Sequence, residues 1–310
     1  MTWRIVRFLA VVCVALGVGT SVSVAPAATP IRMVALGNSY LSGQGADNPG
    51  AIPADMTSYE PGTTGPDNYC FRSRFAAVAL VARRLDARFT NVTCANSEPR
   101  HVDRVAQFDE GRQIDHVTAD TDIVVMQVIG NPEFLTVIMC VQLGECDPRT
   151  IERSVTILDG EQRRHERQII AEIKARAPHA HVYTVGAPPV APRVGDEYRS
   201  RCGWFMSDRE VVLLNRFIDK VNEVSRDNAA RFGETFVDLD RPGSPWNGRH
   251  DLCSADAWVW GPRVAAPQHA PDAVQLRHWI LGGYHPTKAG QRADAEVLMR
   301  YIREREATSR

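Results

Sequence analysis

Ser39 and His285 are the two residues whose settings suit nucleophilic chemistry. Ser39 lies in Gly37-Asn38-Ser39-Tyr40-Leu41-Ser42-Gly43, directly after an apolar run, where the backbone turns away and a hydroxyl can face a cleft. His285 lies in Tyr284-His285-Pro286-Thr287-Lys288-Ala289-Gly290, just ahead of a helical pattern opened by Pro286. A histidine there is rigidly placed, and its unperturbed pKa near 6.5 suits it to take a serine proton at neutral pH. Two more segments, Cys94-Ala95-Asn96-Ser97 and Ile129-Gly130-Asn131-Pro132, follow apolar runs of their own. Acyl transfer to a serine passes through a tetrahedral oxyanion, and a preorganised donor aimed at that oxygen contributes about 3 to 4 kcal/mol. The Ser39 and Asn96 backbone N–H groups and the Asn131 side-chain amide are candidates for that oxyanion hole. Taken singly, each segment reads as an ordinary turn or helix start. The ordered set of four is what singles them out.

These residues need a scaffold that gathers strand ends. From Ile31 onward, β-rich apolar runs at 31–36, 89–94, 121–129, 180–188 and 234–239 alternate with helical patterns at 71–87, 132–142, 150–176, 208–231 and 287–305. Ser207 with Glu210 three residues later marks one helix start, and Pro286 marks another. The unbroken apolar run of the third strand implies burial on both faces, as in a parallel sheet. Five strands alternating with helices predict an α/β fold with helices on both faces of a parallel sheet, whose active groups gather at the strands' carboxyl ends. The segment from Arg241 to Gly283, rich in Pro, Gly and Trp, is a long irregular excursion that leads to His285.

The N-terminus carries Arg4 and Arg7, an apolar run from Phe8 to Val18, and small residues around Ala25, Pro26 and Ala27. That layout predicts a secretory signal over 1–27 and one domain over 28–310, with no stable membrane insertion after cleavage. An uncleaved N-terminal anchor is the alternative. With 36 Lys+Arg against 37 Asp+Glu, no charge excess draws the chain to nucleic acid or anionic membranes. Cys13 lies inside the leader behind a poor lipobox. The remaining Cys70, Cys94, Cys140, Cys146, Cys202 and Cys253 form an even set suited to an oxidising compartment. The short Cys140 to Cys146 spacing suggests a local staple, and sequential pairing is expected for the others.

The four blocks together resemble the SGNH (GDSL) hydrolases, in particular the secreted actinobacterial lipases and esterases with three disulfides. VALGNSYLSGQGA resembles the family's nucleophile block, NVTCAN its C-S-G block, TDIVVMQVIGN the strand into G-G-N-D, and YHPTKAGQ its H-P-x-x-x-G block. NYCFRS and HDLC extend the likeness over nearly the whole mature chain. The resemblance implies a three-layer α/β/α sandwich on a five-stranded parallel sheet of flavodoxin-like order. It also implies Ser39 as nucleophile, His285 as base, and Ser39, Asn96 and Asn131 as the oxyanion hole.

Five positions depart from the family pattern. Asn38 replaces Asp, Asn96 replaces Gly, Ile129 replaces the first Gly of G-G-N-D, and Pro132 replaces its Asp. Gly282 stands where the family commonly has an Asp three residues before the histidine. A Ser-His dyad with the Gly282 carbonyl as the third partner is therefore expected, with Asp251 and Asp272 as alternative carboxylates.

These features imply a secreted, monomeric esterase or lipase that acts on a small-molecule or lipid ester and needs no cofactor or metal. A degenerate relative that binds a glycan or lipid without cleaving it, and an O-deacetylase or acyltransferase, are the competing readings. Trp246, Trp258, Trp260 and Trp279 line a substrate pocket or pack a core or lid. His179 and His181 share a strand face but lack the partners of a metal site, and Gly43-Gln44-Gly45 reads as a turn. Asn91-Val92-Thr93 matches a glycosylation sequon inside an expected strand.

Overall fold

A computed structural model describes residues 29–47, 57–65, 67–142, 144, 146–193, 206–246, 249–261 and 283–308. The expected signal, Cys202, Asp272, Trp279 and Gly282 lie outside the described residues. Five parallel strands run β1 (Arg32–Gly37), β2 (Arg88–Asn91), β3 (Ile123–Gln127), β4 (His181–Val185) and β5 (Thr235–Val237), in the order β2-β1-β3-β4-β5. The register pairs Val34 with Thr90 on one side and with Val124 on the other. Central β3, IVVMQ, is buried at every position, whereas β2 at the edge alternates exposed and half-buried residues. That contrast is what a sheet covered on both faces produces at its centre and loses at its rim.

The helices form two layers. On one face α2 (Ala77–Arg84) packs against the C-terminal helix α8 (Lys288–Thr308). On the other lie α3 (Pro99–Asp103), α4 (Glu133–Gln142), α5 (Pro148–Ile157), α6 (Arg163–Arg176) and α7 (Asp208–Arg231). The core between layers and sheet includes Leu36, Met126, Ile170, Phe217 and Leu298, all essentially without solvent exposure. This is the expected three-layer α/β/α sandwich. Among the described residues, no helix is long and apolar enough to cross a membrane.

Local chemistry sets the boundaries. Helix α7 begins where expected because Ser207 and Glu210 form a reciprocal capping box. Helix α2 starts six residues later than the expected 71, since Phe71 has φ +49° and the Ser73 amide donates to the Ser42 carbonyl instead of a helical one. The helix expected over 150–176 comes as α5 and α6 joined by a π-helical turn, Leu158–Gln162. Such single-turn π insertions commonly serve functional sites, and this one turns Gln162 toward the end of β3. Two disulfides join Cys70 to Cys94 and Cys140 to Cys146, in line with sequential pairing. Cys253 is also disulfide-bonded.

The chain leaves β1 for β2 on one side and then crosses to β3 on the other. A switch point therefore opens between the carboxyl ends of β1 and β3, where such sheets bind ligands.

Candidate active site

Ser39 stands at that switch point. β1 ends at Gly37, whose φ is +137°, and a Cβ there would lie 2.3 Å from the Gln127 carbonyl oxygen of β3. Only glycine lets the two strand ends approach this closely. Asn38 then adopts extended backbone and caps α1 (Ser39–Ser42), its Oδ1 accepting from the Tyr40 amide at 3.1 Å. Its Nδ2 donates to the Ile129 carbonyl at 3.4 Å. The replacement of Asp by Asn thus keeps the cap and adds a donor that an ionised carboxylate lacks. Ser39 itself is the first residue of this single turn and only 6% exposed.

His285 reaches Ser39 from the start of α8. Its Nε2 is 2.7 Å from Ser39 Oγ, and its Nδ1 is 2.8 Å from the Gly283 carbonyl oxygen. A carbonyl only accepts, so Nδ1 carries the proton and Nε2 is left to accept from the serine hydroxyl. Burial pushes the imidazole pKa down to about 4, partly offset by the Gly283 hydrogen bond, so the ring is neutral at neutral pH. The group on Nδ1 is a backbone carbonyl, as expected, but it belongs to Gly283, one residue beyond the expected Gly282. Asp251 does not fill this role, because its carboxylate accepts from the Cys253 amide and the Ser254 hydroxyl.

The histidine turn is built partly from the irregular region. Residues 258–260 pair antiparallel with 284–287: the Trp260 amide donates to the His285 carbonyl at 3.0 Å, the Tyr284 amide to the Trp260 carbonyl at 2.9 Å, and the Thr287 amide to the Trp258 carbonyl at 2.7 Å. Trp260 Nε1 donates to the Gly45 carbonyl at 2.6 Å. Gly45 has φ +91°, and a Cβ there would meet the His285 Cβ at 2.8 Å, so any side chain would push the imidazole aside. The described tryptophans are packing groups: Trp246 is fully buried with its indole on Asp294, and Trp258 packs edge-on against it.

Asn96 and Asn131 sit on neighbouring loops. Asn96 has φ +60°, the left-handed conformation for which the family's glycine is suited and which Asn tolerates best among the other residues. The Cys70–Cys94 disulfide and the Ala95 amide bond to the Cys70 carbonyl hold this loop from below. Asn131 Nδ2 donates one hydrogen to the Ser97 carbonyl at 3.1 Å, which leaves the second amide hydrogen free to point elsewhere. The backbone N–H groups of Ser39 and Asn96 donate to no other described residue. A narrow, largely apolar cleft opens beside Ser39 and Asn131, with Ile129, Phe134, Phe217 and Val221 among its walls.

Sequence reading missed a set of buried glutamines that brace these loops. Gln113 accepts from the Gly37 amide at 2.6 Å and donates to the Gly37 carbonyl and to Ser97 Oγ, tying the β1 end to the Asn96 loop. Gln127 donates to the Val185 and Gly186 carbonyls at the end of β4. Gln162 accepts from the Gly130 amide at 2.9 Å and donates to the Asn131 carbonyl at 3.1 Å. Gln291 accepts from the Ala77 amide at 2.7 Å and donates to the Tyr40 carbonyl at 2.9 Å. Only Gln127, polar at the end of an apolar strand, carried a sequence signal.

Other candidates go elsewhere. His181 Nδ1 accepts from Arg305, His179 is exposed, and no cluster of three metal-ligating side chains occurs among the described residues. Asn91 accepts from the Thr93 amide and hydroxyl at the end of β2.

No family model matches the chain. It is 29% identical over 288 residues to Lipase 2 of Streptomyces coelicolor, covering 89% of this chain and 88% of that protein. Among solved structures, an extracellular lipase from Streptomyces rimosus superposes with a TM-score of 0.67 at 27% identity, over 86% of this chain and 98% of that one. A phospholipase A1 from Streptomyces albidoflavus shares the fold with a TM-score of 0.66 at 23% identity, over 87% and 98% of the two chains.

Proposed function

We propose that this SGNH (GDSL) hydrolase, a carboxylic-ester hydrolase, is an exported serine esterase or lipase that works through a Ser39–His285 dyad. The observation that carries the reading is the 2.7 Å contact between His285 Nε2 and Ser39 Oγ, with Nδ1 engaged by the Gly283 carbonyl. His285 takes the Ser39 proton as the hydroxyl attacks the ester carbonyl, then returns it to the leaving alcohol. Water, deprotonated by the same imidazole, next attacks the acyl-enzyme; the acyl–Oγ bond breaks, the imidazolium returns the proton to Ser39 Oγ, and the acid leaves.

The tetrahedral oxyanion is received by the Ser39 and Asn96 amides and the free hydrogen of the Asn131 side chain. The low pKa of His285 keeps the base ready at neutral pH, and the imidazolium formed during attack is stabilised by the oxyanion beside it. The apolar walls at Ile129, Phe134, Phe217 and Val221 favour an ester with a hydrocarbon acyl group. Export is supported by the leader-like N-terminus and the disulfides, and the similar Streptomyces rimosus lipase is itself extracellular.

The test is hydrolysis of p-nitrophenyl butyrate by purified protein. Ser39→Ala is expected to lower kcat by about 10⁴-fold or more. Turnover unaffected by that substitution removes Ser39 from the mechanism, and an inert wild type returns the non-cleaving binder as the better reading.

A further inference from the structure

A base without a carboxylate depends on whatever aims its substitute. For His285 that substitute is the Gly283 carbonyl, and a carbonyl moves with the turn that carries it. The turn passes through Tyr284, a non-glycine residue at φ +60° that is 1% exposed. A residue in that conformation persists only where its surroundings hold it. Trp260 pairs with one edge of the turn through the Tyr284 amide and the His285 carbonyl. The Tyr284 carbonyl is held from another side: the Tyr40 hydroxyl donates to it at 2.7 Å.

Tyr40 is the residue after Ser39, and its ring centroid lies 4.9 Å from that of His285. One side chain therefore touches both the imidazole and the turn behind it. Its own backbone is fixed at both ends, the amide by Asn38 Oδ1 at 3.1 Å and the carbonyl by Gln291 Nε2 at 2.9 Å. Burial raises the Tyr40 hydroxyl well above the usual phenol range, so it stays protonated and able to donate.

We propose that Tyr40 is a positioning residue for the dyad: by holding the Tyr284 carbonyl, its hydroxyl keeps the Gly283 carbonyl aimed at His285 Nδ1, in the place a carboxylate would take. This rests on the Ser39–His285 reading. It assigns the effect to the hydroxyl, whereas a mere cleft wall would act through the ring, which also meets Phe134 edge-on at 5.7 Å.

The test compares wild type, Tyr40→Phe, which keeps the ring and removes the donor, and p-aminophenylalanine at position 40, which restores a donor at the same place. Steady-state kinetics on p-nitrophenyl butyrate are read beside ¹⁵N-histidine NMR of the His285 ring. Tyr40→Phe is expected to lower kcat by about 10- to 100-fold with KM within about twofold, the size that misplacement of a catalytic group produces. Its ring nitrogens are expected to move from a single Nδ1–H tautomer toward a mixture, and the amino variant to recover both signals.

An unchanged kcat and tautomer overturn the proposal, as does a rise in KM alone. If Tyr40→Phe does not fold, the amino variant decides: folded with wild-type kcat and a single tautomer it supports the proposal, and folded with a mixed tautomer it overturns it. The NMR signal needs no turnover. Tautomer loss in Tyr40→Phe beside hydrolysis that survives Ser39→Ala would therefore sink the nucleophile assignment and leave the Tyr40 claim standing.

Discussion

His165 on α6 and His285 ahead of α8 are both buried, yet the two regions hold them by different means. His165 Nε2 meets both oxygens of Asp103 on α3, at 2.8 and 3.0 Å, and bonds no hydroxyl among the described residues. His285 has a serine on one nitrogen and a backbone carbonyl on the other. The histidine with the carboxylate is a brace between two helices, and the one without it meets the hydroxyl of Ser39, a residue that lines the cleft. A carboxylate both orients an imidazole and stabilises its charged form, while a carbonyl orients it with far less charge stabilisation. The buried His165–Asp103 pair thus serves architecture. The His285 imidazole has its tautomer set by the Gly283 carbonyl, and burial leaves it neutral, with a pKa of about 4.

Removing each imidazole in turn is the strongest way to break this contrast. His285→Ala is expected to lower kcat on p-nitrophenyl butyrate by about 10⁴-fold or more, whereas His165→Ala leaves kcat within about threefold in whatever fraction remains folded. A comparable kcat loss in folded His165→Ala protein would put the carboxylate-bearing pair into the mechanism. Breaking the pair from its other side acts on stability instead. Asp103→Leu leaves the buried imidazole without its hydrogen-bond partner and is expected to cost about 1 to 3 kcal/mol, read as a drop in the denaturation midpoint with kcat retained.

The contrast also predicts a pH profile. Because burial lowers the His285 pKa, the neutral base persists in acid, and activity is lost only as pH falls toward about 4. For the free enzyme, kcat/KM at pH 5 is expected within about twofold of its value at pH 7, where a base with the ordinary pKa near 6.5 would lose roughly 25-fold. An acid limb near 6.5 would mean that some charged partner supports the imidazolium after all. The same shift acts on stability with its own sign. Below about 6.5 the unfolded chain takes up a proton that the folded His285 refuses, so stability declines as pH falls from 6.5 toward 4.

What could be read from the chain in advance was what short-range rules encode. Alternating apolar runs revealed the sheet, the Ser207–Glu210 pair fixed the start of α7, and the segments around Ser39, Asn96, Asn131 and His285 stood out by their order. What escaped was set by long-range contact. Gln113, Gln162 and Gln291 bridge positions 76, 31 and 251 residues away, and nothing local marks a glutamine as a brace. The carbonyl that meets His285 Nδ1 fell one residue from the expected Gly282, in a turn whose next two residues pair with Trp260. Short helix α3 was not anticipated, although it carries the Asp103 of the brace.

The proposed mechanism requires an activated serine at position 39. Purified protein treated with a fluorophosphonate probe, then digested and mapped by mass spectrometry, should carry the label on Ser39, with labelling slowed by about 10³-fold or more in His285→Ala. Label on another serine, or equal rates with and without the imidazole, would contradict it.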